Sequence, residues 1–370
     1  SGLLEAEDIA NWSATEENPI SYDYKNYTVC KTDFWGQGPC LLQQLAILKN
    51  FDLESYNETS PEFVHFIIEA TKLAFADREA FYGDPNFVEI PKDMNYLAGG
   101  YIQINIPEGE VKYSDMDVTA HPTDHPGEPD KFEKDWAEGT YAMRNLVMKN
   151  DEEIVRAYSM ASFPAEGKKI MLNVRVAAPP WDRDKNTWAD VNPGIASSYI
   201  FGLKEGDKVT ISGPYGEFFI NDSDAEMLYI GGGAGMAPMR SHLYELFRTI
   251  KTGRKVTFFY GGRSRAELFY IHYFRDLEKD FPNFKFHLVL SDALPEDNWI
   301  EKKSLDDPEG DGFSGFVHQI VIDKFLSNHE APEDIELYFC GPPLMNQAVI
   351  KMADDWGIPD ENVRFDDFGG

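Results

Sequence analysis

The 370-residue sequence predicts a mixed fold in three parts: an α+β N-terminal fragment, an antiparallel β-barrel and an α/β domain built on a parallel sheet. Three observations carry this. From Glu226 onward, apolar runs of strand length alternate with helix-patterned stretches. Between Gly99 and Gly216, short alternating runs are separated by Gly/Pro turns, as in antiparallel barrels. The first ninety or so residues form a compositional block of their own, with two amphipathic helix patterns. The length suits two or three domains with sizeable cores.

In the first block, Tyr22 to Lys31 alternates aromatic and polar residues like a strand. Asp33 to Pro39 is rich in turn formers. Cys40 to Lys49 and Pro61 to Phe81 carry helical patterns. Ser60 precedes Pro61 as an N-cap, with Phe63 at the third helical position and no capping box. Asp77 and Arg78 read as a helix-surface or packing pair. Phe87 to Pro91 could close this block or begin the next.

The middle part opens with Gly99 to Pro107, which alternates like a strand. Ser114 to Met143 is acidic, rich in His and Pro, and reads as an irregular excursion ending in a helix. His121 and His125 stand near aspartates, but no helical or hairpin spacing fixes them. They read as solvated loop residues, and no metal site is expected. Glu153 to Tyr158 is a strand that delivers Arg156-Ala157-Tyr158-Ser159. Alternation puts Arg156 and Tyr158 on one strand face. A guanidinium there can hold a diphosphate bidentately, with Tyr158 as an aromatic wall and Ser159 as a small donor. An ordinary strand end with a surface serine is the alternative. Met171 to Ala177 reads as a strand carrying Asn173 and Arg175. Gly194 to Ile200 starts a short helix whose first amides can face phosphate, with Ser197 and Ser198 nearby. Lys208 to Gly213 is a further strand, and Gly213 to Gly216 a turn.

The third part begins with a buried strand, Glu226 to Ile230. Four glycines follow within five positions, at 231, 232, 233 and 235. A helix from Met239 to Ile250 comes next, opened by Pro238 near its first turn. Strand, glycine turn and helix bring an anion close to backbone amides, and a side chain there would hold it away. Met236 takes the third-glycine place of a G-x-G-x-x-G fingerprint, so a plain tight turn stays open as the alternative. Val256 to Tyr260 leads into Gly261-Gly262-Arg263-Ser264. Phe284 to Leu290 ends at Ser291-Asp292. Leu337 to Cys340 ends at Gly341-Pro342-Pro343, followed by a helix from Leu344 to Trp356. Ligand groups belong at the C-terminal ends of such parallel strands, where Cys340 stands. A buried structural cysteine is the alternative for that residue alone.

Composition narrows the class. With 34 Lys and Arg against 64 Asp and Glu, the net charge is −30, which disfavours nucleic acid and anionic membranes as partners. Three cysteines suggest a reducing, cytoplasmic setting without a disulfide framework, and they are too few for an iron–sulfur cluster. No apolar run approaches about 20 residues, and Ser1 to Glu7 lacks the features of a signal peptide, so the chain as given reads as soluble.

Two resemblances add to this. Trp35-Gly36-Gln37-Gly38-Pro39 and Leu73-Ala74-Phe75-Ala76-Asp77-Arg78-Glu79-Ala80-Phe81-Tyr82-Gly83-Asp84-Pro85 make residues 1–91 resemble part of the large subunit of the γ-glutamyltransferases. That family's nucleophilic threonine lies beyond this region, and no Thr-Thr-His-type segment follows, so no catalytic residue carries over. Arg156-Ala157-Tyr158-Ser159, the Gly231 turn, Cys340-Gly341-Pro342-Pro343 and the terminal Asp366-Asp367-Phe368-Gly369-Gly370 resemble the ferredoxin–NADP reductase superfamily. Within it, the similarity from about Ile90 is to the flavin-carrying F subunits of the sodium-translocating NADH:quinone reductases. The sequence therefore looks like a chimera joined near Phe87 to Pro91.

The second resemblance implies a flavin-binding barrel at 92–222 and a nicotinamide-binding α/β domain at 223–370. It implies FAD and NADH as cofactors. Arg156 would hold the FAD diphosphate, Tyr158 would pack on the isoalloxazine, and Ser159 would bond near N5. Gly194, Ser197 and Ser198 would support the phosphates, Phe368 would cover the other ring face, and Arg175 would be a further cofactor-binding residue. Gly232, Gly233, Gly235, Met236 and Pro238 would cradle NADH, with Arg263 and Ser264 at its ribose. Cys340, Gly341 and Pro342 would line the nicotinamide place, with Ser159 and Cys340 as the catalytic pair. The implied reaction is NADH oxidation by hydride transfer to FAD, with electrons passed to a one-electron acceptor or quinone chain. A catalytically silent chimera and a γ-glutamyl hydrolase or transferase are the alternatives. The family adds a membrane helix and a [2Fe–2S] domain on the cytoplasmic face of the inner membrane; neither is read in this sequence. The barrel is short of its first strands, which predicts an open edge. Arg265 favours a 2′-phosphate and Glu267 disfavours it; the expectation is NADH over NADPH.

Overall fold

The computed structural model of the chain describes residues 18–33, 36–81, 96–120, 128–138, 141–167 and 169–366. It divides into two compact units between Met94 and Asn95. His121, His125 and Phe368, and the Phe87–Pro91 segment, lie outside the described residues.

In the first unit, β1 (Ile20–Tyr24) and β2 (Tyr27–Lys31) pair antiparallel. The single strand expected over Tyr22 to Lys31 is thus a hairpin. Its phase breaks at Lys25-Asn26, where Lys25 adopts φ 52°, the left-handed conformation a tight hairpin turn demands. Helix α1 (Gly38–Leu48) buries Cys40, Leu42 and Leu48. Helix α2 (Pro61–Phe81) starts where Ser60 predicts: its Oγ accepts the Phe63 N–H at 3.1 Å. Asp77 accepts a hydrogen bond from Gln43 of α1, and the Arg78 guanidinium sits 5.5 Å from the Phe75 ring centroid. Both residues serve helix packing, as their sequence context suggests.

The second unit begins with antiparallel structure. β3 (Tyr101–Ile106) buries Ile102, Ile104 and Ile106 in strict alternation. β4 (Gly109–Lys112), helix α3 (Glu133–Ala137) and β5 (Val147–Asn150) follow, then β6 (Ile154–Ser159). β7 (Trp181–Asp182) and β8 (Thr187–Trp188) form a small hairpin, followed by helix α4 (Ile195–Gly202) and β9 (Ile211–Tyr215). The sheets are β6-β3-β9, β4-β5 and β7-β8, all antiparallel. Tyr113, Met116, Trp136 and Met148 form a core here, with Trp136 Nε1 donating to Tyr113 O at 3.2 Å.

Two expectations change. Met171 to Ala177 makes only one bridge, Leu172 to Met160, because Ser162 Oγ takes the Met171 N–H that a ladder would use. Gly213-Pro214, expected as a turn, lies inside β9. Pro214 cannot donate, and a register irregularity against Tyr101–Gln103 on this edge strand accommodates it.

The remainder is a parallel sheet of order β13-β12-β11-β10-β14-β15. Its strands are β10 (Met227–Gly232), β11 (Val256–Gly262), β12 (Phe284–Leu290), β13 (Gly312–Ser314), β14 (Glu336–Cys340) and β15 (Val363–Asp366). Helices α5 (Met236–Tyr244), α6 (Ile271–Asp280), α7 (Val317–Lys324) and α8 (Pro343–Asp355) cover it. The central strands β10, β11 and β14 are largely apolar because both of their faces are packed. Tyr229, Phe258 and Phe286 enter one core; Leu228, Ile230, Phe259 and Phe339 enter the other. Helix α5 begins three residues before the expected start, placing Pro238 in its first turn. It continues as a π-helical stretch, Glu245–Ile250. Strand order reverses between β10 and β14, so the ligand crevice of this sheet lies beyond their C-terminal ends.

Candidate active site

One rung at that end of the sheet brings several candidates together. Tyr260, Gly231, Cys340 and Asp366 are register partners across β11, β10, β14 and β15. The antiparallel part joins the rung from the side: Ser159, the last residue of β6, donates its hydroxyl to Asp366 Oδ2 at 2.7 Å. Ser159 is buried and Cys340 fully so. Ser159 and Cys340 therefore share one carboxylate neighbourhood although 181 positions separate them in the chain. Asp366 was part of the terminal motif but carried no assigned role in the sequence; only its contact with Ser159 reveals one.

The glycine turn is shaped by the same rung. A Cβ on Gly235 would stand 2.1 Å from the Cys340 carbonyl oxygen, so this position admits only glycine. Gly233 has φ 55° and nothing within 4 Å of where a Cβ would point. Its face of the turn is open to a ligand, at the N-terminus of α5. Gly232 packs against Met345, and Gly341 lies beneath the same thioether. Pro342 caps α8, while Met236 and Pro238 are buried in α5. Asn346 donates Nδ2 to Asp366 O at 3.4 Å, and its buried Oδ1 has no partner among the described residues.

On the flavin side, Arg156 and Tyr158 occupy one face of β6 as expected. The Arg156 guanidinium is exposed, and Nη1 donates to Val155 O at 2.8 Å. Burial pushes the Tyr158 phenol up, with the Arg156 charge opposing it. Gly194 caps α4, and a Cβ there would meet Ala177 Cβ at 2.6 Å. The two serines differ from expectation in their hydroxyls. Ser197 Oγ accepts the Ala177 N–H at 3.0 Å and donates to Gly194 O at 3.2 Å, while Ser198 Oγ bonds Tyr113 OH at 2.9 Å. Both hydroxyls hold α4 in place. Arg175 is exposed and lies close enough to Glu267 to lower that carboxyl's pKa.

At the exit of β11, Arg263 and Arg265 each face a carboxylate. Arg263 Nε donates to Glu267 Oε1 at 2.8 Å, and Arg265 Nη1 lies 3.6 Å from Asp311 Oδ1. The hydrogen bond from Arg263 is the largest influence holding Glu267 below its usual range. Ser264 is buried and precedes a short 3₁₀ turn, Arg265–Glu267. Among the described residues, no cluster of His, Cys, Asp or Glu could hold a metal ion. No described helix is long and apolar enough to cross a membrane.

Comparison with known proteins agrees with this geometry. The oxidoreductase FAD-binding domain family matches residues 135–220, and the oxidoreductase NAD-binding domain family matches residues 229–351. The gamma-glutamyltranspeptidase family matches residues 1–105. Solved structures give a weak likeness. One is the flavohem-like FAD/NAD-binding domain of nitric oxide dioxygenase from Vibrio cholerae, 20% identical with a TM-score of 0.48, covering 74% of this chain and 86% of that one. Within the second unit, residues 135–220 and 229–351 are thus similar to the FAD-binding and NAD-binding domains of oxidoreductases.

Its relatives are more particular. Over 279 residues the chain is 51% identical to the F subunit of the Na(+)-translocating NADH-quinone reductase of Neisseria meningitidis, covering 75% of this chain and 62% of the relative. The F subunits of Actinobacillus succinogenes and Haemophilus influenzae are 50% identical, with 75% of this chain and 61% of each relative covered. The chain thus spans about three-fifths of the length of these relatives. The first unit lies within the match to the gamma-glutamyltranspeptidase family instead.

Proposed function

We propose that the chain oxidises NADH at a bound FAD and passes the electrons on to a one-electron acceptor or quinone chain. The observation that carries this is the shared rung. It sets a buried hydroxyl, a buried thiol and a carboxylate from two FAD- and NAD-binding parts beside one open glycine turn. The division we propose is a γ-glutamyltransferase-like fragment over 1–91, a flavin domain over 92–222 and a nicotinamide domain over 223–370.

The residues fit both groups. Arg156 offers an exposed guanidinium for a diphosphate, and the first amides of α4 offer a second anion site. Tyr158 supplies an aromatic face, and Phe368 is assigned the opposite one. Bound FAD supplies a two-electron acceptor that can release electrons one at a time. The chain's own part is positioning and exclusion of water. Asp366 fixes the direction of the Ser159 hydroxyl. Cys340 fills the rung beside the glycine turn. Gly232, Gly233, Gly235 and Met236 bring backbone amides to the NADH diphosphate, and Pro238, which has no N–H to offer, sets the first turn of α5 behind them. Burial of Ser159 and Cys340 keeps the reacting place dry.

The test is direct. Purified protein is reconstituted with FAD, passed through gel filtration and mixed with NADH without oxygen. Retained flavin whose absorption bleaches on NADH addition, with ferricyanide reduced afterwards, supports the reading. A colourless eluate, or bound flavin that NADH does not bleach, overturns it.

A further inference from the structure

Arg240 carries a charge into one of the most buried places of the second unit. It is 2% exposed, yet Nη1 donates to Ala161 O at 2.8 Å and to Glu166 Oε2 at 2.9 Å, and Nη2 donates to Glu166 Oε1 at 2.7 Å. This is the bidentate fork that arginine makes and lysine does not. Rings of Tyr244, Tyr273 and Tyr270 surround the guanidinium at 4.7, 5.0 and 5.6 Å. Its Nε has no partner among the described residues. Beside it, Ser241 Oγ donates to Ser162 O at 2.7 Å, and Tyr270 OH donates to Asn173 Oδ1 at 2.5 Å.

The place of this fork in the chain matters more than its strength. Arg240 stands on α5 four positions beyond Met236, the first residue after the glycine turn. Ala161 stands two positions beyond Ser159. Among the described strands, no ladder joins the parallel sheet to the antiparallel ones. Of the side-chain links between the two parts, this one is charged, bidentate and buried. Breaking one partner leaves an uncompensated charge, so the fork has one well-defined geometry.

We infer that Arg240 is a positioning residue: with Glu166 and Ala161 it fixes the distance between the glycine turn and Ser159, and so between the nicotinamide and flavin places. This rests on the proposed NADH-to-FAD reaction. Misplacement by about 1 Å away from the chemistry can cost on the order of 100-fold in rate.

The test compares wild type, Arg240→Met, Arg240→Lys and Glu166→Gln in two ways. Hydrogen exchange of the Ala161–Gly167 amides is measured on each FAD-loaded protein without NADH. Faster exchange in Met and Gln variants, with Lys intermediate, is expected; unchanged exchange overturns the clasp. The rate of anaerobic flavin reduction and the NADH Kd are then measured by stopped flow. The expected result is a fall of tenfold or more in limiting rate for the Met and Gln variants. NADH Kd and FAD content should stay within about twofold of wild type. A limiting rate equal to wild type in the variants, or a loss expressed only in Kd, overturns the positioning role. Wild-type flavin that NADH does not reduce refutes the parent reaction instead, and exchange still decides the clasp.

Discussion

Strand β10 is buried at every residue and ends in a turn whose backbone is the functional group we propose. Strand β6, in the antiparallel part, is exposed at Val155, Arg156 and Ala157 and presents its functional groups as side chains. The first arrangement is built in before any ligand arrives. Gly235 fits against Cys340 O with no room to spare, and two cores hold the strands beneath it. The second has its serine anchored to Asp366 but leaves its arginine in solvent. A backbone site on a doubly packed sheet tolerates little change, whereas a side-chain site on an open sheet loses affinity gradually.

The sharpest way to break this contrast is Gly235→Val. Its Cβ would meet backbone atoms of Cys340 and Gly341, none of which belongs to a flexible side chain. The turn must move, at a cost of about 1–3 kcal/mol in stability. NADH-driven kcat/KM is expected to fall about 100-fold, because the displacement is at the site itself. FAD content, read from the absorption of gel-filtered protein, should remain near wild type. Loss of both together would show that the two sites are not built independently.

Acid should weaken the parallel sheet's region before the carboxylates of the fold are reached. Burial, only partly opposed by hydrogen bonds to Phe218 and Ala98, holds His242 down at about 4. Burial, with Lys302, Arg275 and Lys285 adding to it, holds His287 at about 3. Unfolded histidines titrate near 6.5, so the unfolded chain takes up protons below that pH that the folded chain refuses. Stability is therefore intact above about pH 7 and falls as pH drops from 6.5 toward 4 for His242 and toward 3 for His287. At about 1.4 kcal/mol per pKa unit, His242 alone accounts for about 3 kcal/mol by pH 4. Urea midpoints between pH 7 and 4 should show this slope, and His242→Gln should flatten it.

On the other side of the comparison, Arg156→Ala should leave the urea midpoint unchanged, because the guanidinium is exposed. It should weaken FAD binding by about 1.5–3 kcal/mol, the worth of a hydrogen bond to a charged group. Titration of apoprotein with FAD by fluorescence quenching checks both halves. Equal FAD affinity in the variant would place the diphosphate elsewhere.

The smallest expected effect concerns cofactor choice. Glu267 and Asp311 neutralise Arg263 and Arg265 where a 2′-phosphate would bind. Glu267→Gln with Asp311→Asn should raise kcat/KM for NADPH about severalfold relative to NADH, since exposed pairs are worth about 0.2–1 kcal/mol each. Arg265→Leu should widen the preference for NADH. A double variant with an unchanged ratio would remove those carboxylates from the account of specificity.

Much of this molecule is legible locally. Four of the parallel strands stand out as short, largely apolar runs, and Phe284–Leu290 has the same bounds in sequence and structure, whereas Gly312–Ser314 and Val363–Asp366 are too short and too polar to be read locally. The helix over Pro61–Phe81 and its Ser60 cap follow from residues within three positions of one another. The ends of β6 and β14, where Ser159 and Cys340 stand, follow from the same short-range signals. The hairpin at Lys25 was written as a phase break, and the irregular stretch after Met171 was not written at all: a side chain, Ser162, competes there for the ladder's N–H.

What the sequence alone determined is therefore which residues end strands and open helices, since period and turn chemistry act over a few positions. Tertiary structure decided which of those ends meet. Ser159 finds Asp366 across 207 positions, Arg240 finds Glu166 across 74, and Ser197 and Ser198 turn inward to the chain. Arg265 and Asp311 face one another across two strand ends. None of these pairs has a local signature, because a hydrogen bond or ion pair constrains distance in space and leaves spacing along the chain free.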